Sequence, residues 1–478
     1  MAVRHANLVF VFGSVNINEP AAGVRVPFVQ AVEPKNSRGH EIFRVRRRII
    51  WTEWNPRFED CARRGAVPNF FGNPKMAEWR FVAAFFGSDS ETRSGNRIGA
   101  DNFAITNEVE LLVPNGDVDL SASTLHRLRA ALQFAPVKKE YHIAVVGATG
   151  AVGAEFFRVL ERRNFPVASM RALASGKSAG KKVQFRNHST AVEELRETSF
   201  DKIDIAFFSA GGEISRKFVP IARKAGPIVI DNSSVFRMDA DIPLVIPEIN
   251  GRDVKQHTGL IANPNCTTAI ALMAIYPLHR AFGVRRVFAA SYQAVSGSGQ
   301  RAINELNEQV AAAAEDRPAS AEATARGQPR PRVYPHPIAF NVLPHVDVFL
   351  ESGYTKEEMK MQTEGAKIMH LPRFLASVTC VRVPVYRAHS VAVSAEFEKK
   401  VSVEQAREVL AKAPGLELVD EPQKNRYPMP LNVAGKDNCE VGRVRLDCAL
   451  ENGLAFWVAG DQLLKGAALN AVQIAELL

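Results

Sequence analysis

Hydrophobic positions between residues 141 and 262 fall into short apolar runs separated by helical patterns. The runs predict strands at residues 142–146, 167–173, 203–209, 228–231 and 260–262. Helical spacing follows two of them, with an apolar face at residues 156–160 and a second helix at 214–225. Alternation of buried strands and helices is typical of a parallel, doubly wound α/β sheet. Sheets of this kind bind ligands at the carboxyl ends of their strands.

The pattern changes after residue 266, where strands become more frequent than helices. Strands are predicted at residues 284–295, 338–349, 377–385, 391–398 and 448–458, and helices from about residue 267 and at 302–314, 356–369, 403–413 and 461–478. Residues 315–332 are rich in Ala, Pro and Arg, and we interpret them as a surface loop. This half is therefore expected to form an α+β domain with one open antiparallel or mixed sheet.

Residues 1–136 differ from the remainder of the chain, because they contain many arginines, few lysines and scattered turn-forming residues. The run at 44–48 (RVRRR) beside Trp51 and Trp54 allows a nucleic-acid patch with stacking aromatics. A solvated edge or a disordered segment is an alternative, and we expect no nucleic-acid partner. A third hypothesis is that translation starts near Val137, so that this segment is not natively translated.

Composition narrows the class of protein. The chain has 478 residues and a formal net charge of +9, which suits anionic small molecules but also suits an ordinary soluble protein. Neither a signal peptide nor an apolar run of about 18 residues is evident, so we expect a cytoplasmic protein without a membrane partner. Five cysteines without paired C-x-x-C spacing argue against both a disulfide framework and a metal site.

A glycine-rich turn follows the first strand and precedes the first helix. Gly147, Gly150 and Gly153 stand in the sequence GATGAVG. Glycines in this context let the backbone approach a pyrophosphate, which then lies at the helix N-terminus. After the second strand the chain offers Ser175, Lys177 and Ser178 instead of the acidic residue that binds the ribose of NAD. Hydroxyls and a cation favour NADP, although a polar loop with a lysine is also common.

Cys266 is the candidate nucleophile. It follows a short strand and the Asn263-Pro264-Asn265 break, at the predicted start of a helix. Free N–H groups and the positive end of the helix dipole favour a thiolate there, as covalent catalysis on a carbonyl requires. The alternative is a small buried hydrophobe. Arg237, in a loop after a strand, could meet an anion or form a surface salt bridge.

Several motifs in the same order carry a resemblance to one family. They lie at residues 147–153 (GATGAVG), 172–181 (ALASGKSAGK), 263–268 (NPNCTT), 292–297 (YQAVSG), 338–345 (IAFNVLPH), 382–390 (RVPVYRAHS) and 465–476 (KGAALNAVQIAE). Over residues 137–478 the chain resembles bacterial aspartate-semialdehyde dehydrogenase, and residues 1–136 have no counterpart. The resemblance implies reversible, NADP-dependent reductive dephosphorylation of L-aspartyl 4-phosphate to L-aspartate 4-semialdehyde through a Cys thioester. This reaction serves the lysine (diaminopimelate), threonine and methionine routes.

The resemblance also implies an architecture. A Rossmann-type domain would span residues 137–265, and a catalytic and dimerisation domain like that of glyceraldehyde-3-phosphate dehydrogenase would span 266–462. The closing helix at 463–478 would pack back onto the first domain, and the protein would be a homodimer.

Roles for individual residues follow from the same resemblance. Cys266 would be the nucleophile, His389 the general acid/base, and Gln293 would orient the substrate. Arg382, expected on one strand with His389, would bind the substrate carboxylate. Glu357 would hold the amine. The other implied substrate contacts are Asn265 and, for the phosphate, Arg237 and Lys360. Cofactor contacts are expected at Gly147, Thr149, Gly150, Ala151, Val152, Gly153, Ser175, Lys177, Ser178, Ser209, Gly297 and Gln462.

Three features depart from the family pattern, one of them the loop at 315–332 with its unusual content of Ala, Pro and Arg, and two rival functions stay open. Lys177 stands where many relatives have Arg, and Gln462 stands where relatives often have Asn. The nearest rival enzyme is N-acetyl-γ-glutamyl-phosphate reductase, against which the NPNCT context of Cys266 argues. A rival of another class is a non-catalytic NADP- or nucleic-acid-binding protein.

Overall fold

The computed structural model describes Val9–Val11, Val29–Ala31 and residues 140–316 and 330–478. The chain divides into two units, Met1–Val137 and Lys138–Leu478. In the first unit, strands β1 (Val9–Val11) and β2 (Val29–Ala31) pair antiparallel. The arginine run at 44–48 with its aromatic neighbours, and most of the predicted loop at 315–332, lie outside the described residues.

The second unit begins with a seven-stranded sheet. Its strands are β3 (Tyr141–Val146), β4 (Val167–Ala174), β5 (Lys182–Phe185), β6 (His188–Glu194), β7 (Ile205–Phe208), β8 (Ile228–Asp231) and β9 (Leu260–Ala262). Their spatial order is β5-β6-β4-β3-β7-β8-β9, and all neighbouring pairs are parallel except β5–β6. The doubly wound Rossmann-type sheet is confirmed. Only the mostly exposed β5–β6 hairpin was absent from the sequence prediction, because it lacks an apolar run.

The same half of the unit contains three helices: α1 (Ala151–Arg162), α2 (Gly212–Ala225) and the short α3 (Pro247–Asn250). In α1, Phe156, Phe157 and Leu160 are buried against the strands. Helix α2 ends at Gly226, whose φ of 115° is a left-handed cap that glycine adopts without steric cost. These apolar faces explain why the sequence predicted both long helices.

The strand order reverses at β3, whose neighbours are β4 and β7. The chain leaves β3 through Gly147, which has a φ of +90°. A Cβ at this position would lie 2.4 Å from the carbonyl oxygen of Ser209, which follows β7. Only glycine fits, and the loops after β3 and β7 are in contact where doubly wound sheets bind ligands.

A six-stranded mixed sheet forms the other half of the unit, as expected. Its strands are β10 (Val284–Gln293), β11 (Leu375–Arg382), β12 (His389–Phe397), β13 (Leu416–Leu418), β14 (Cys439–Leu446) and β15 (Gly453–Gly460), in the order β11-β10-β12-β15-β14-β13. The accompanying helices are α4 (Cys266–Phe282), α5 (Gln300–Asp316), α6 (Lys356–Ile368), α7 (Val403–Ala411) and α8 (Pro430–Val433).

Two strand predictions in this half were wrong or misplaced, and two strands were not predicted. Residues 338–349 do not form a strand, because Phe340 and Asp347 have positive φ and Pro344 has no N–H to donate. Strands β13 and β14 were missed. The strand predicted at 448–458 begins only at Gly453, after a turn.

Helix α4 lies in the core between the two sheets. Its apolar residues, such as Leu272, share one buried cluster with Val146 and Phe208 of the first sheet and with Val391 and Val458 of the second. Truncating a fully buried leucine of this kind to alanine costs about 2–5 kcal/mol. The residue that starts α4 is therefore fixed relative to both sheets.

The closing segment returns to the first sheet. A π-helical turn at Leu464–Ala468 precedes α9 (Leu469–Ala475), so the helix predicted from residue 461 begins later. Leu469 and Val472 are buried in the same cluster as Ile143 and Phe156. In the part of the chain that the structure describes, no helix combines the length and apolarity needed to cross a membrane.

Candidate active site

Cys266 is the first residue of α4. The preceding residue, Asn265, caps the helix: its side-chain oxygen accepts a hydrogen bond of 3.0 Å from the backbone N–H of Thr268. The thiol is half-buried. On its other side it is contacted by the π-helical turn, because a Cβ at Gly466 would lie 2.6 Å from the Cβ of Cys266. Gly466 is a site residue that sequence reasoning missed.

The expectation that Cys266 is a ready thiolate is wrong for the free protein. Burial, with the nearby carboxylate of Glu357, raises the pKa of the Cys266 thiol to about 11. Arg382, Arg237 and Lys360 lower that pKa without offsetting the burial. A helix N-terminus carries only about half an elementary charge, which is too little to reverse the desolvation of this half-buried sulfur.

Three strand ends meet at the edge of the second sheet that faces Cys266. Gln293 ends β10, and it is paired in register with Arg382, which ends β11. His389 starts β12, one position from the Tyr292–Ser390 pair. Arg382 and His389 therefore lie on two strands and not on one, since the intervening residues leave the sheet. The chain reversal still brings both side chains to the same edge.

His389 is fully buried and neutral. Burial, together with the charge of Arg382, lowers its pKa to about 3. The backbone N–H of Ala294 donates a hydrogen bond to Nδ1 of the ring. In the described part of the chain, Nε2 of His389 and Nε of Arg382 are buried without a hydrogen-bond partner. Buried donors without partners are rare, and these two are available to an anionic ligand.

Glu357 connects the residues around Cys266. Its Oε1 accepts hydrogen bonds from Gln293 (2.9 Å) and from the side chain of Asn265 (3.0 Å), and its Oε2 accepts one from Lys360 (2.7 Å). Burial works against the charged form. Lys360 and the hydrogen bonds nevertheless outweigh burial and lower the pKa of Glu357 to about 2. The site thus holds a fixed carboxylate among cations.

Arg237 supports the turn that precedes Cys266. Its guanidinium donates to the carbonyl oxygens of Asn263 (2.8 Å) and Asn232 (2.7 Å) and pairs with Glu364 at 2.9 Å. Glu364 also accepts the backbone N–H of Asn265 at 2.7 Å. Sequence reasoning missed Glu364. The spacing in the sequence could have revealed it, because Glu364 falls on the same face of helix α6 as Glu357 and Lys360.

The glycine loop offers a cradle for a dinucleotide. A Cβ at Gly153 would lie 2.2 Å from the carbonyl oxygen of Gly147, so α1 packs tightly on the turn. Gly150 is the N-cap of α1, and no side chain among the described residues caps this helix. Its free N–H groups fit a phosphate, with Ala151 and Val152 in the first turn. The hydroxyl of Thr149 lies 3.3 Å from that of Ser178, which joins the glycine loop to the loop of Ser175 and Lys177.

Two predicted cofactor residues lie at the catalytic end. A Cβ at Gly297 would be 3.0 Å from the guanidinium of Arg382 and 3.3 Å from Nε2 of His389. Both ends of the Gln462 amide have protein partners: Oε1 accepts the backbone N–H of Ala388 at 2.7 Å, and Nε2 donates to Ser296. The expected nicotinamide contact of Gln462 stays a prediction. Within residues 140–316 and 330–478, no cluster of His, Cys, Asp and Glu could hold a metal ion.

Comparisons with known proteins agree with this arrangement. Residues 142–257 match the NAD binding domain of semialdehyde dehydrogenases, and residues 275–465 match their dimerisation domain. Aspartate-semialdehyde dehydrogenase of Aquifex aeolicus is 50% identical over 341 residues, covering 71% of this chain and 98% of the relative. The Bacillus subtilis protein of that name is 45% identical, covering 70% and 97%.

Solved structures give the same result. The structure of aspartate semialdehyde dehydrogenase II complexed with ASA from Vibrio cholerae has 41% sequence identity and a TM-score of 0.67. The match covers 71% of this chain and 98% of that one.

Proposed function

The chain belongs to the aspartate-semialdehyde dehydrogenase family, and we propose that it reduces L-aspartyl 4-phosphate to L-aspartate 4-semialdehyde with NADPH, releasing phosphate, in a reversible reaction. This step serves lysine and diaminopimelate, threonine and methionine biosynthesis, and we place it in the cytoplasm. The observation that carries the proposal is that Cys266 lies beside Glu357 and the three strand ends that carry Gln293, Arg382 and His389. It combines a nucleophile, unpaired donors and fixed charges.

The charges at this junction suit the proposed substrate. Arg382 is a cation with a free Nε donor, which fits the α-carboxylate. Glu357 is an ionised carboxylate, which fits the amine. Lys360 and Arg237 are the nearby cations for the phosphate, and Asn265 adds a polar contact beside the thiol. These assignments follow charge complementarity.

The chemistry begins at the sulfur of Cys266. In the biosynthetic direction the thiol loses its proton and the thiolate attacks the acyl carbon; the C–O bond to phosphate breaks, a thioester forms, and the departing phosphate carries the proton away. When bound, NADPH supplies the hydride that reduces this thioester. Collapse of the resulting thiohemiacetal breaks the C–S bond and releases the aldehyde. Gln293 orients the acyl group, since its amide lies between Thr267 and Glu357.

The hydrogen bond from the Ala294 N–H to Nδ1 of His389 restricts the part that His389 can take in the reaction. Because Nδ1 accepts the Ala294 N–H, the neutral ring carries its proton on Nε2. That N–H is directed to donate to the substrate oxygen that becomes negatively charged, as in an oxyanion hole. In this tautomer His389 stabilises the oxyanion directly. To act as the general base inferred from the resemblance, Nε2 must first lose its proton, and to act as the general acid the ring must first become imidazolium.

The loop after β4 is the segment that we expect to distinguish NADP from NAD. Ser175, Lys177 and Ser178 are the hydroxyls and the cation of this loop, and Lys177 is exposed. A 2′-phosphate needs donors and positive charge, whereas the loop's own residues include no carboxylate for a ribose hydroxyl, and the carboxylate of Glu194, which approaches Gly176, is paired with Arg196. We therefore propose that the enzyme prefers NADP.

A homodimer through the second sheet is part of the proposal. The chain contains the family's dimerisation domain. Phe288 and Leu375, on neighbouring strands β10 and β11, are 44% and 55% exposed. Apolar side chains on an open sheet face suit contact with a second copy. Light scattering should give twice the chain mass, and Phe288→Asp should reduce that mass.

The deciding experiment is an assay for phosphate-dependent NADPH production. Aspartate semialdehyde is compared with N-acetyl-glutamate semialdehyde, and Cys266→Ala is the control. We expect turnover only with aspartate semialdehyde, loss of turnover in the variant, and NADP affinity unchanged by the substitution. Preference for the acetylated substrate would instead establish the rival reductase. Turnover by Cys266→Ala would exclude the thioester route.

A further inference from the structure

A polar bridge joins the nucleotide-binding helix to the segment that carries His389. Arg387 donates from Nη1 to Glu155 of α1 at 2.8 Å and from Nε to Asp461 at 2.5 Å. Glu155 is 5% exposed and Asp461 is fully buried. Arg387 belongs neither to the predicted catalytic set nor to the predicted cofactor contacts.

The Asp461 end of this bridge is a fixed anchor. Its carboxylate also accepts backbone N–H groups from Gly435 (2.6 Å) and Leu463 (2.9 Å). A fully buried carboxylate with donors on both oxygens has little freedom to move. The guanidinium of Arg387 is therefore held at a set position relative to the closing segment.

The residue between Arg387 and His389 is in an uncommon conformation. Ala388 has a φ of +72° and is fully buried. A left-handed alanine is strained and persists only where its surroundings impose it. Here the side chain of Gln462 accepts the Ala388 N–H. The contacts of Arg387 with Glu155 and Asp461 fix the residue that precedes Ala388. Both contacts constrain the backbone that aims the imidazole of His389.

The Glu155 end lies near the expected phosphate site. Glu155 is in the second turn of α1, and side chains on a helix lean toward its N-terminus. A buried negative charge there would oppose an anion bound at the first turn. Arg387 is the more buried of the two arginines that offset that charge, and it also holds the approach to β12.

We propose that Arg387 is a positioning residue that couples the cofactor end of α1 to the placement of the His389 imidazole. The inference rests on the proposed function for its catalytic part. It assigns two separable effects to one side chain: neutralisation of Glu155, which affects cofactor affinity, and fixation of the Ala388 backbone, which affects turnover.

The test compares Arg387→Met, Glu155→Gln and the double variant, with NADP affinity measured by calorimetry and kcat by assay. In Arg387→Met, Glu155 keeps only its mostly exposed partner Arg158, so its remaining charge should weaken NADP binding about tenfold. Misplacement of His389 should lower kcat about 10–100-fold. The double variant should regain wild-type NADP affinity while its kcat stays low. Recovery of both quantities would reduce Arg387 to a charge partner and overturn the proposal.

Two further variants complete the test. Arg158 also pairs with Glu155, at 2.7 Å, but it is mostly exposed and far along the chain from His389. Arg158→Gln should leave affinity and kcat unchanged, and equal losses in this control would overturn the proposal. If Arg387→Met does not fold, Arg387→Lys keeps the charge without the two-armed contact. It should retain NADP affinity and lose kcat, and wild-type kcat would refute the coupling. Wild-type turnover of aspartate semialdehyde tests the proposed function independently of these comparisons.

Discussion

The backbone N–H of Ala294 donates a hydrogen bond of 3.1 Å to Nδ1 of His389. An N–H cannot accept a proton from the ring, so Nδ1 must be the unprotonated nitrogen of the neutral imidazole. Nε2 then carries the proton and is buried without a partner in the described part of the chain. One main-chain contact thereby selects the form of the side chain that meets the substrate.

Two substitutions of His389 should show whether its side chain acts as a hydrogen-bond donor or as a general base. We expect His389→Ala to lower kcat roughly 10²–10³-fold, the usual loss when an oxyanion donor is removed. His389→Gln keeps an N–H donor of similar reach but no base, so it should recover part of that loss. Equal rates for the two variants in a steady-state assay would return His389 to the general-base role.

The pH dependence of the free enzyme should reflect Cys266 and not His389. The pKa of His389 is lowered to about 3, so the ring is neutral above that pH and gives no inflection near 6.5. The pKa of Cys266 is raised to about 11, so the fraction of Cys266 that is thiolate grows as the pH rises towards 11. Alkylation of the cofactor-free enzyme by iodoacetamide should therefore accelerate about tenfold per pH unit between pH 7 and 10.

Cys266→Ser is the control for that measurement, because Cys448 is exposed and will react at its own rate. Peptide mapping assigns the label to each cysteine. A plateau of Cys266 labelling near neutral pH would show a stabilised thiolate and would contradict the raised pKa.

Lys177→Ala should reduce the preference for NADP. A hydrogen bond from a charged group contributes about 1.5–3 kcal/mol, and exposure places Lys177 at the lower end, so kcat/KM for NADP should fall roughly tenfold. The value for NAD should change little. Lys182→Ala, an exposed lysine on β5, is the matched control. An unchanged NADP to NAD ratio would remove Lys177 from 2′-phosphate recognition.

Lys465 and Glu248 form a buried ion pair that anchors the closing segment. Lys465 is 1% exposed, contacts Glu248, and donates to Gln473 at 2.9 Å. Lys465→Met leaves a largely buried carboxylate unpaired, which should lower the free energy of unfolding by about 3–5 kcal/mol. Urea unfolding measures the change.

A second variant and a control sharpen that measurement. Adding Glu248→Met should return much of the loss, because an apolar pair can replace a buried ion pair. Lys412→Met, which breaks an exposed pair with Glu408, should leave the urea midpoint unchanged. A double variant no more stable than Lys465→Met would show that the ion pair itself is required.

Removal of residues 1–136 should leave kcat and both KM values unchanged. Every residue assigned here to the substrate, the cofactor or the nucleophile lies between Gly147 and Gly466. The assay compares the full chain with one that starts at Val137. Lower turnover in the shortened protein would assign a catalytic contribution to the N-terminal segment, and mass spectrometry of the native protein tests the proposed start.

The elements that the sequence predicted well are those with a strong local pattern. Strands β8 and β9 and the start of α4 have the expected bounds, because apolar runs between turn residues specify buried parallel strands and Asn265 is a helix cap. Strand β14 was missed because its exposed arginines interrupt the apolar pattern. The strand expected at 338–349 did not form, since two left-handed residues bend the backbone there.

Sequence alone determined the fold class, the glycine turn, the cysteine at a helix start and the set of charged candidates, because each depends on neighbours within a few residues. The tertiary structure decided their chemical state. Burial and Glu357 raise the pKa of Cys266 against the expected thiolate. A main-chain N–H from another strand selects the tautomer of His389. Desolvation and long-range hydrogen bonds depend on which atoms meet after folding, and local patterns do not contain that information.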